Sequence, residues 1–212
     1  MKHEAPPETA AEHPLDLTLS KVRSLVNNMP GKELWVRAAA ILAFGKIKMH
    51  KLPRGIEVGV GKIRGVREAK AVSKSKFIGL LIEGRVAGRS RSHEQTEPYR
   101  SGEVTEGMVW VTGFAKPASW EIHMPAQECF EAVSVHVPLD FLDAMMATEP
   151  ELARRGKRMV EESTHELGVA SRKQRSLFLK MLQIDADQPG GKLLLESCAL
   201  ELLAETLSPL PD

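Results

Sequence analysis

Apolar and polar positions along the chain change texture twice, and each texture predicts a different kind of element. Leu17, Leu19, Val22, Leu25 and Val26 recur at helical spacing until Asn28, Pro30 and Gly31 stop the run, which predicts a helix over 15–28. Residues 35–44 read Trp-Val-Arg-Ala-Ala-Ala-Ile-Leu-Ala-Phe, where the alanines favour a second helix ended by Gly45. From Lys46 the pattern switches to period two. Segments 46–50, 56–66, 120–124 and 132–137 alternate, while 77–83 and 108–114 are denser apolar runs. Gly, Pro and Ser separate them, which predicts short strands. Six or more such strands with no helix between them point to a closed barrel or a sandwich.

After Pro138 the helical spacing returns. Residues 140–147 form one helical segment. Thr148-Glu149-Pro150-Glu151 reads as a capping box with Thr148 as N-cap, starting a helix that runs toward His165. Residues 171–182 predict a third helix, Gln188-Pro189-Gly190-Gly191 breaks it, and 192–207 is the strongest helical pattern of the chain. Its stripe of Leu195, Cys198, Ala199, Leu202 and Leu203 must be buried, against this chain or a second copy, while Glu196, Glu201 and Glu205 can stay wet. The expected organisation is a disordered leader (1–14), a helical segment (15–45), a β module (46–138), a helical region (139–207) and the start of a linker (208–212).

Composition narrows the class. The chain has 212 residues with 42% hydrophobic and 27% charged, as a folded globular protein shows. A formal charge of +1, from 29 basic and 28 acidic residues, argues against a dedicated nucleic-acid binder. Two cysteines, Cys129 and Cys198, are too few for a disulfide framework and point to a reducing compartment. Cys198 reads as a small core residue. Residues 1–14 lack a secretory apolar segment, and the run 38–44 is shorter than the ~20 residues a bilayer span needs. A soluble, cytoplasmic protein is expected.

Candidate chemistry is sparse. A cupin-type metal site wants two imidazoles two residues apart on one strand face, and no His-x-His occurs. His50, His93, His123 and His136 each stand alone, and His93-Glu94 falls in a polar stretch, 89–96, that reads as an exposed loop. No metal and no cofactor are expected. A Gly-x-Ser-x-Gly elbow is absent, and Cys129 sits in a loop-like stretch with no evident base. Gly59, Gly61 and Gly65 alternate with Val and Ile, as strand glycines do, and lack the Gly-Lys-Ser/Thr ending of a phosphate loop. Two basic clusters, Lys62 to Lys76 and Arg85, Arg89, Arg91 and Arg100, have only Phe77 and Tyr99 as aromatic company; they read as solvated surface or as the approach path of an anionic effector. Trp110 and Trp120, two of three tryptophans, read either as plain core or as pocket lining. Glu121 and His123 fall on the face of their strand opposite Trp120.

The segment Leu195-Glu196-Ser197-Cys198-Ala199-Leu200-Glu201-Leu202-Leu203 resembles the last helix of the sensing domain in AraC-type transcriptional regulators, nearest to the siderophore-responsive branch around the pyochelin regulator. Phe130 to Phe141 resembles that family's last barrel strand leading into its first helix, and Phe77 to Gly84 its central apolar strand. The resemblance covers about residues 54–207. It implies an α+β fold, a cupin-like β-barrel followed by a C-terminal helical dimerisation region. It implies that the barrel binds a small-molecule effector, such as an iron–siderophore chelate, with Trp110, Trp120, His123 and Tyr99 as candidate lining. It implies a homodimer through Leu195, Cys198, Ala199, Leu202 and Leu203. DNA would be met only by helix-turn-helix units beyond residues 208–212. No catalytic residue is expected. The rival readings are a metal-independent barrel enzyme or small-molecule carrier, and a protein-interaction module using the 195–207 face.

Overall fold

A computed structural model describes residues 34–35, 43–65, 69–95, 101–126 and 128–208. These form two antiparallel sheets and four helices. The larger sheet contains β1 (Leu34–Trp35), β2 (Ala43–Lys51), β3 (Glu57–Gly65), β5 (Gly79–Ala87), β8 (Met108–Phe114), β10 (Cys129–Pro138) and β11 (His165–Val169). Its order is β1-β2-β3-β10-β5-β8-β11. The smaller sheet, in order β4-β9-β6-β7, contains β4 (Ala69–Ser75), β6 (Ser90–Glu94), β7 (Ser101–Val104) and β9 (Ala118–Met124). The helices are α1 (Leu139–Met145), α2 (Pro150–Glu161), α3 (Arg172–Gln183) and α4 (Gly191–Leu207). The mixed α+β class is as expected. The closed barrel is not: among the described residues the strands form two separate sheets, the sandwich form of the same strand pattern.

Strand alternation explains the layers. On β5, Leu80 and Ile82 join Val133, Val135 and Val137 of β10 in a core that meets the helices, whereas Leu81 packs toward the smaller sheet. The helices close the first core with Leu142, Phe178, Met181, Leu195 and Leu202. Two glycines permit this contact. A Cβ at Gly84 would run into the Phe178 ring, and one at Gly113 into the backbone of Met159 and Val160, so α2 lies directly on β8. Trp110, Trp120, Phe114, Val104 and Ala118 form a second, smaller cluster drawn from both sheets.

Several expectations need correction. The helix expected over 35–44 is extended at the described positions: Leu34–Trp35 pairs with Lys46 and Ile47, and β2 already begins at Ala43. Alanine's helix propensity yields there to the hydrogen-bond ladder that β3 offers. The helix expected over 15–28 lies outside the described residues. At α2 the N-cap is Glu149, not Thr148, and no side chain caps it; Pro150 needs no partner because it has no N–H to satisfy. That helix stops at Glu161, and His165–Val169 leaves it to add an edge strand to β8. The polar stretch beginning at Arg89 is not a loop, since Ser90–Glu94 is a strand with Ser90, Ser92 and Glu94 turned inward. Among the described residues a capping box forms instead at Ser171: its Oγ accepts from the Gln174 N–H at 3.1 Å, and Gln174 Oε1 accepts from the Ser171 N–H at 2.9 Å.

The stripe Leu195, Cys198, Ala199, Leu202 and Leu203 packs within this chain. All five are 0–2% exposed in the single chain and belong to its main core. In the single chain these side chains belong to the core that the last helix shares with the other helices and the larger sheet. Burial also pushes the Cys198 thiol up from its ordinary pKa, as expected of an inert core cysteine.

Candidate functional site

The alternation of β8 and β9 brings Trp110 and Trp120 together from opposite sheets. Their rings meet edge to face with centroids 5.0 Å apart. The His165 ring stands edge-on to Trp110 at 4.8 Å and 6.3 Å from Trp120, and Phe114 lies 6.2 Å from Trp120. Register explains the grouping: on the larger sheet His165 pairs with Thr112 and Leu167 with Trp110, so β11 carries its histidine onto the inner face of β8.

Polar atoms punctuate this aromatic surface. The Trp110 Nε1–H donates to Thr112 Oγ1. Thr112 Oγ1 also lies 3.1 Å from His165 Nδ1, and Thr112 is fully buried. Farther along the inner face, Glu83 lies opposite both Trp110 on β8 and Ser134 on β10. Phe77 stacks edge-on against His136 at 5.2 Å, and the His136 ring is 3.2 Å from Ser134 Oγ. An aromatic floor with a few placed polar groups is the composition that small-molecule sites share.

His123 is elsewhere. It lies on the outer face of β9 with Glu121, opposite Trp120 in the alternation, and lines an open groove of about 460 Å³ with Arg91, His93, Ser101 and Glu103. Arg91 and Glu103 form a mostly solvated ion pair at 3.8 Å across it. The structure therefore unites Trp110 and Trp120 and separates His123 from them. Tyr99 lies outside the described residues. Cys129 begins β10 and is exposed. Among the described residues no group of three or more His, Cys, Asp or Glu side chains is placed to hold a metal ion.

Three inner-face residues escaped the sequence reading. His165 is hidden in the sequence because the helical pattern that starts at Pro150 runs on to it. Thr112 is one polar residue in an apolar run, and its position opposite His165 depends on a pairing that no local pattern announces. Arg85 looked like part of a solvated basic cluster, yet it is 3% exposed while Arg89 and Arg91 are exposed.

A family signature described as "Regulatory protein PchR N-terminal domain" matches residues 44–212, and the chain belongs to that family. Among solved structures, an apo ToxT variant from Vibrio cholerae strain SCE256 is similar in fold, with a TM-score of 0.52 at 11% identity, covering 74% of this chain and 57% of that one. The AraC-like transcriptional activator CuxR aligns at 10% identity over 90% of this chain and 67% of that one, with a TM-score of 0.45. The cupin domain of Schizosaccharomyces pombe Cnp3 aligns at 11% identity over 44% of this chain and 64% of that one, with a TM-score of 0.35. The chain spans about three fifths of the length of the ToxT structures it matches. A comparison with curated protein sequences gives no match. The family is one of regulatory domains, and no helix among the described residues is long and apolar enough to cross a membrane.

Proposed function

We propose that this chain is the effector-sensing domain of an AraC-type regulator and that the effector binds between the two sheets, against Trp110 and Trp120. The observation that carries this reading is the inter-sheet aromatic cluster bordered by Thr112, His165 and Glu83. A purely structural core has little use for a hydroxyl, an imidazole and a carboxylate on the same sheet face. The branch resemblance makes an iron–siderophore chelate the first effector class to test.

The same strand supplies a relay. β8 presents Trp110 and Thr112 to the effector side and Gly113 to α2. The Gly113 N–H donates to the Thr164 carbonyl and the Thr164 N–H to the Met159 carbonyl, both at 2.9 Å, which ties the end of α2 to the strand. From α2, Arg155 Nη1 donates to the Leu207 and Ser208 carbonyls at 3.2 and 2.9 Å, holding the C-terminal end of α4. A ligand that shifts β8 shifts α2, and with it the point where the chain leaves α4 toward a DNA-binding unit. This is a population shift between two packings, biased by whichever packing the effector binds more tightly.

Two copies of the chain would pair through surface that the fold leaves uncovered, namely Leu193 and Leu194 at the start of α4 and Leu179 on α3, which are 49–70% exposed. A thermal-shift screen of small molecules against the chain tests the sensing reading. Stabilising compounds are expected, and their effect should vanish in Trp120→Ala. Compounds that stabilise Trp120→Ala as well as the parent chain would overturn it.

A further inference from the structure

The last turn of α4 has no cap of its own. Helices commonly close on a glycine in the left-handed region, or on basic side chains beside the final carbonyls. Ser208 at the C-cap is extended instead, with φ −64° and ψ 140°, and the last turn carries no basic residue. It carries Glu205, whose carboxylate meets the negative end of the helix dipole. Left to itself, such a turn frays.

Two helices hold it from outside. Arg155 of α2 occupies the Leu207 and Ser208 carbonyls. The N-terminus of α3 holds the rest. Ser171 Oγ, which caps α3 by accepting from the Gln174 N–H, donates its own proton to Glu205 Oε1 at 3.0 Å. Gln174 Nε2 donates to Thr206 Oγ1 at 3.3 Å. Lys173 Nζ lies 3.3 Å from Glu201 and 3.7 Å from Glu205, which offsets part of the clash with the dipole.

One residue of the sheets sets where that N-terminus sits. Gly107 lies in the turn between β7 and β8, where the chain passes from the smaller sheet to the larger one, and its φ of 78° is left-handed. Its N–H donates to the Arg85 carbonyl on β5, and its carbonyl accepts from the Ala170 N–H, both at 2.9 Å. Arg175 of α3 folds back over this turn. Its Nε donates to the Ala170 carbonyl at 2.9 Å, and its guanidinium carbon stands 3.7 Å from where a Gly107 Cβ would be. Ala170 is buried and directly precedes the Ser171 cap. A continuous line of hydrogen bonds and one peptide link thus joins the meeting point of the two sheets to the last turn of α4, outside α2.

We propose that the last turn of α4 is a switchable end, folded while the α3 cap grips it, and that the Gly107 turn positions this cap according to how the two sheets sit. A shift of the smaller sheet against the larger moves the Gly107 turn and draws Ser171 and Gln174 off Glu205 and Thr206. Residues 204–208 then unwind where the chain leaves the domain. Ser171 and Gln174 act here as positioning residues. The device works without a ligand, so it stands apart from the sensing reading and gives that reading a second line to the exit.

Amide hydrogen exchange of the full chain, read residue by residue, tests it. Gly107→Ala adds no clash but forces a side chain into the left-handed region. It should speed exchange at Thr206, Leu207 and Ser208 about fivefold or more, while Leu194 to Cys198 keep the parent's rates. Gly190→Ala is the control, with a similar φ of 81° and nothing within 4 Å of the added Cβ, but at the other end of α4. It should speed exchange at Leu194 and Leu195 and leave Thr206 to Ser208 unchanged. Ser171→Ala should match Gly107→Ala at the last turn, and the double variant should be no faster than the faster single one, because both cut the same line. If Gly107→Ala fails to fold, Arg175→Met, which frees the Ala170 carbonyl, takes its place with the same expectations. Parent-like exchange at Thr206 to Ser208, a uniform rise along α4, or effects that multiply in the double variant would each overturn the proposal.

Discussion

Replacing Leu202 with Glu separates a core stripe from a dimer interface. Leu202 is 0% exposed in the single chain, within the core formed by α4, the other helices and the larger sheet. Removing a leucine side chain from such a site costs about 3–5 kcal/mol. The glutamate that replaces it must either stay charged without a partner or take up a proton. The second route is cheaper: protonating a carboxyl whose unfolded pKa is about 4.3 costs about 4 kcal/mol near pH 7. Together these reach about 7–9 kcal/mol, comparable with the whole stability of a typical domain, about 5–15 kcal/mol. Leu202→Glu is therefore expected to lose the native circular dichroism spectrum and to elute as an expanded or aggregated species. Leu193→Glu, on the same helix but 70% exposed and on the proposed pairing surface, should keep the native circular dichroism spectrum and elute as a folded monomer. A folded, monomeric Leu202→Glu with intact β signal, from a parent chain that is dimeric, would refute the reasoning and return the stripe to the interface.

Three further perturbations probe the contacts that hold the layers together. Gly113→Ala places a methyl group against the Met159 carbonyl and should destabilise the chain by about 1–3 kcal/mol, read as a lower urea midpoint; an unchanged midpoint would mean that α2 does not lie on β8 as described. Ser171→Ala removes the capping box of α3 and should cost about 0.5–2 kcal/mol, whereas Thr148→Ala, which caps nothing, should cost far less; equal losses would restore Thr148 as a cap. His50 has its pKa lowered from 6.5, by burial first and then by Lys48 and Lys192, against the opposing pull of Asp187 and Asp185. A lowered folded pKa means the unfolded chain binds the proton more readily, so this contribution is full above the unfolded pKa and lost as pH falls toward the folded one. Thermal stability should therefore drop as pH falls below the ordinary histidine value of 6.5, and His50→Gln should flatten that slope; an equally steep slope in the variant would remove His50 as its source.

The strands and helices were legible wherever one face alone decides the element. Residues 132–137 alternate because one side of β10 meets the helices, and the stripe of Leu195, Cys198, Ala199, Leu202 and Leu203 on α4 is buried as expected. Legibility failed where pairing or packing chose between patterns. Residues 43–45 continue an alanine-rich run yet join β3, and His165–Val169 follows a helix without any turn signal beyond Ser163, whose φ of 50° reverses the chain. The candidate site split along the same line. Trp110 and Trp120 announce themselves by size and scarcity, and they meet. His123 shares a strand with Trp120, but its odd spacing sends it to the outer groove. Arg85 sits among surface arginines in sequence, and only the register of β5 against β10 and β8 shows that it faces inward. The stripe on α4 was read correctly as buried, but one helix cannot say whether its own sheet or a second copy covers it.

The central claim is that a small effector binds between the sheets at Trp110 and Trp120. Its most direct test is the nitrogen–proton spectrum of the tryptophan indoles, assigned with Trp110→Phe and Trp120→Phe and recorded as the strongest stabilising compound from the screen is added to the chain. The account predicts that both indole N–H resonances move and saturate with the same Kd that the thermal shift gives, while Arg91, His93 and His123 of the outer groove stay in place. Saturable shifts confined to the outer groove, with both indoles unmoved, would contradict it.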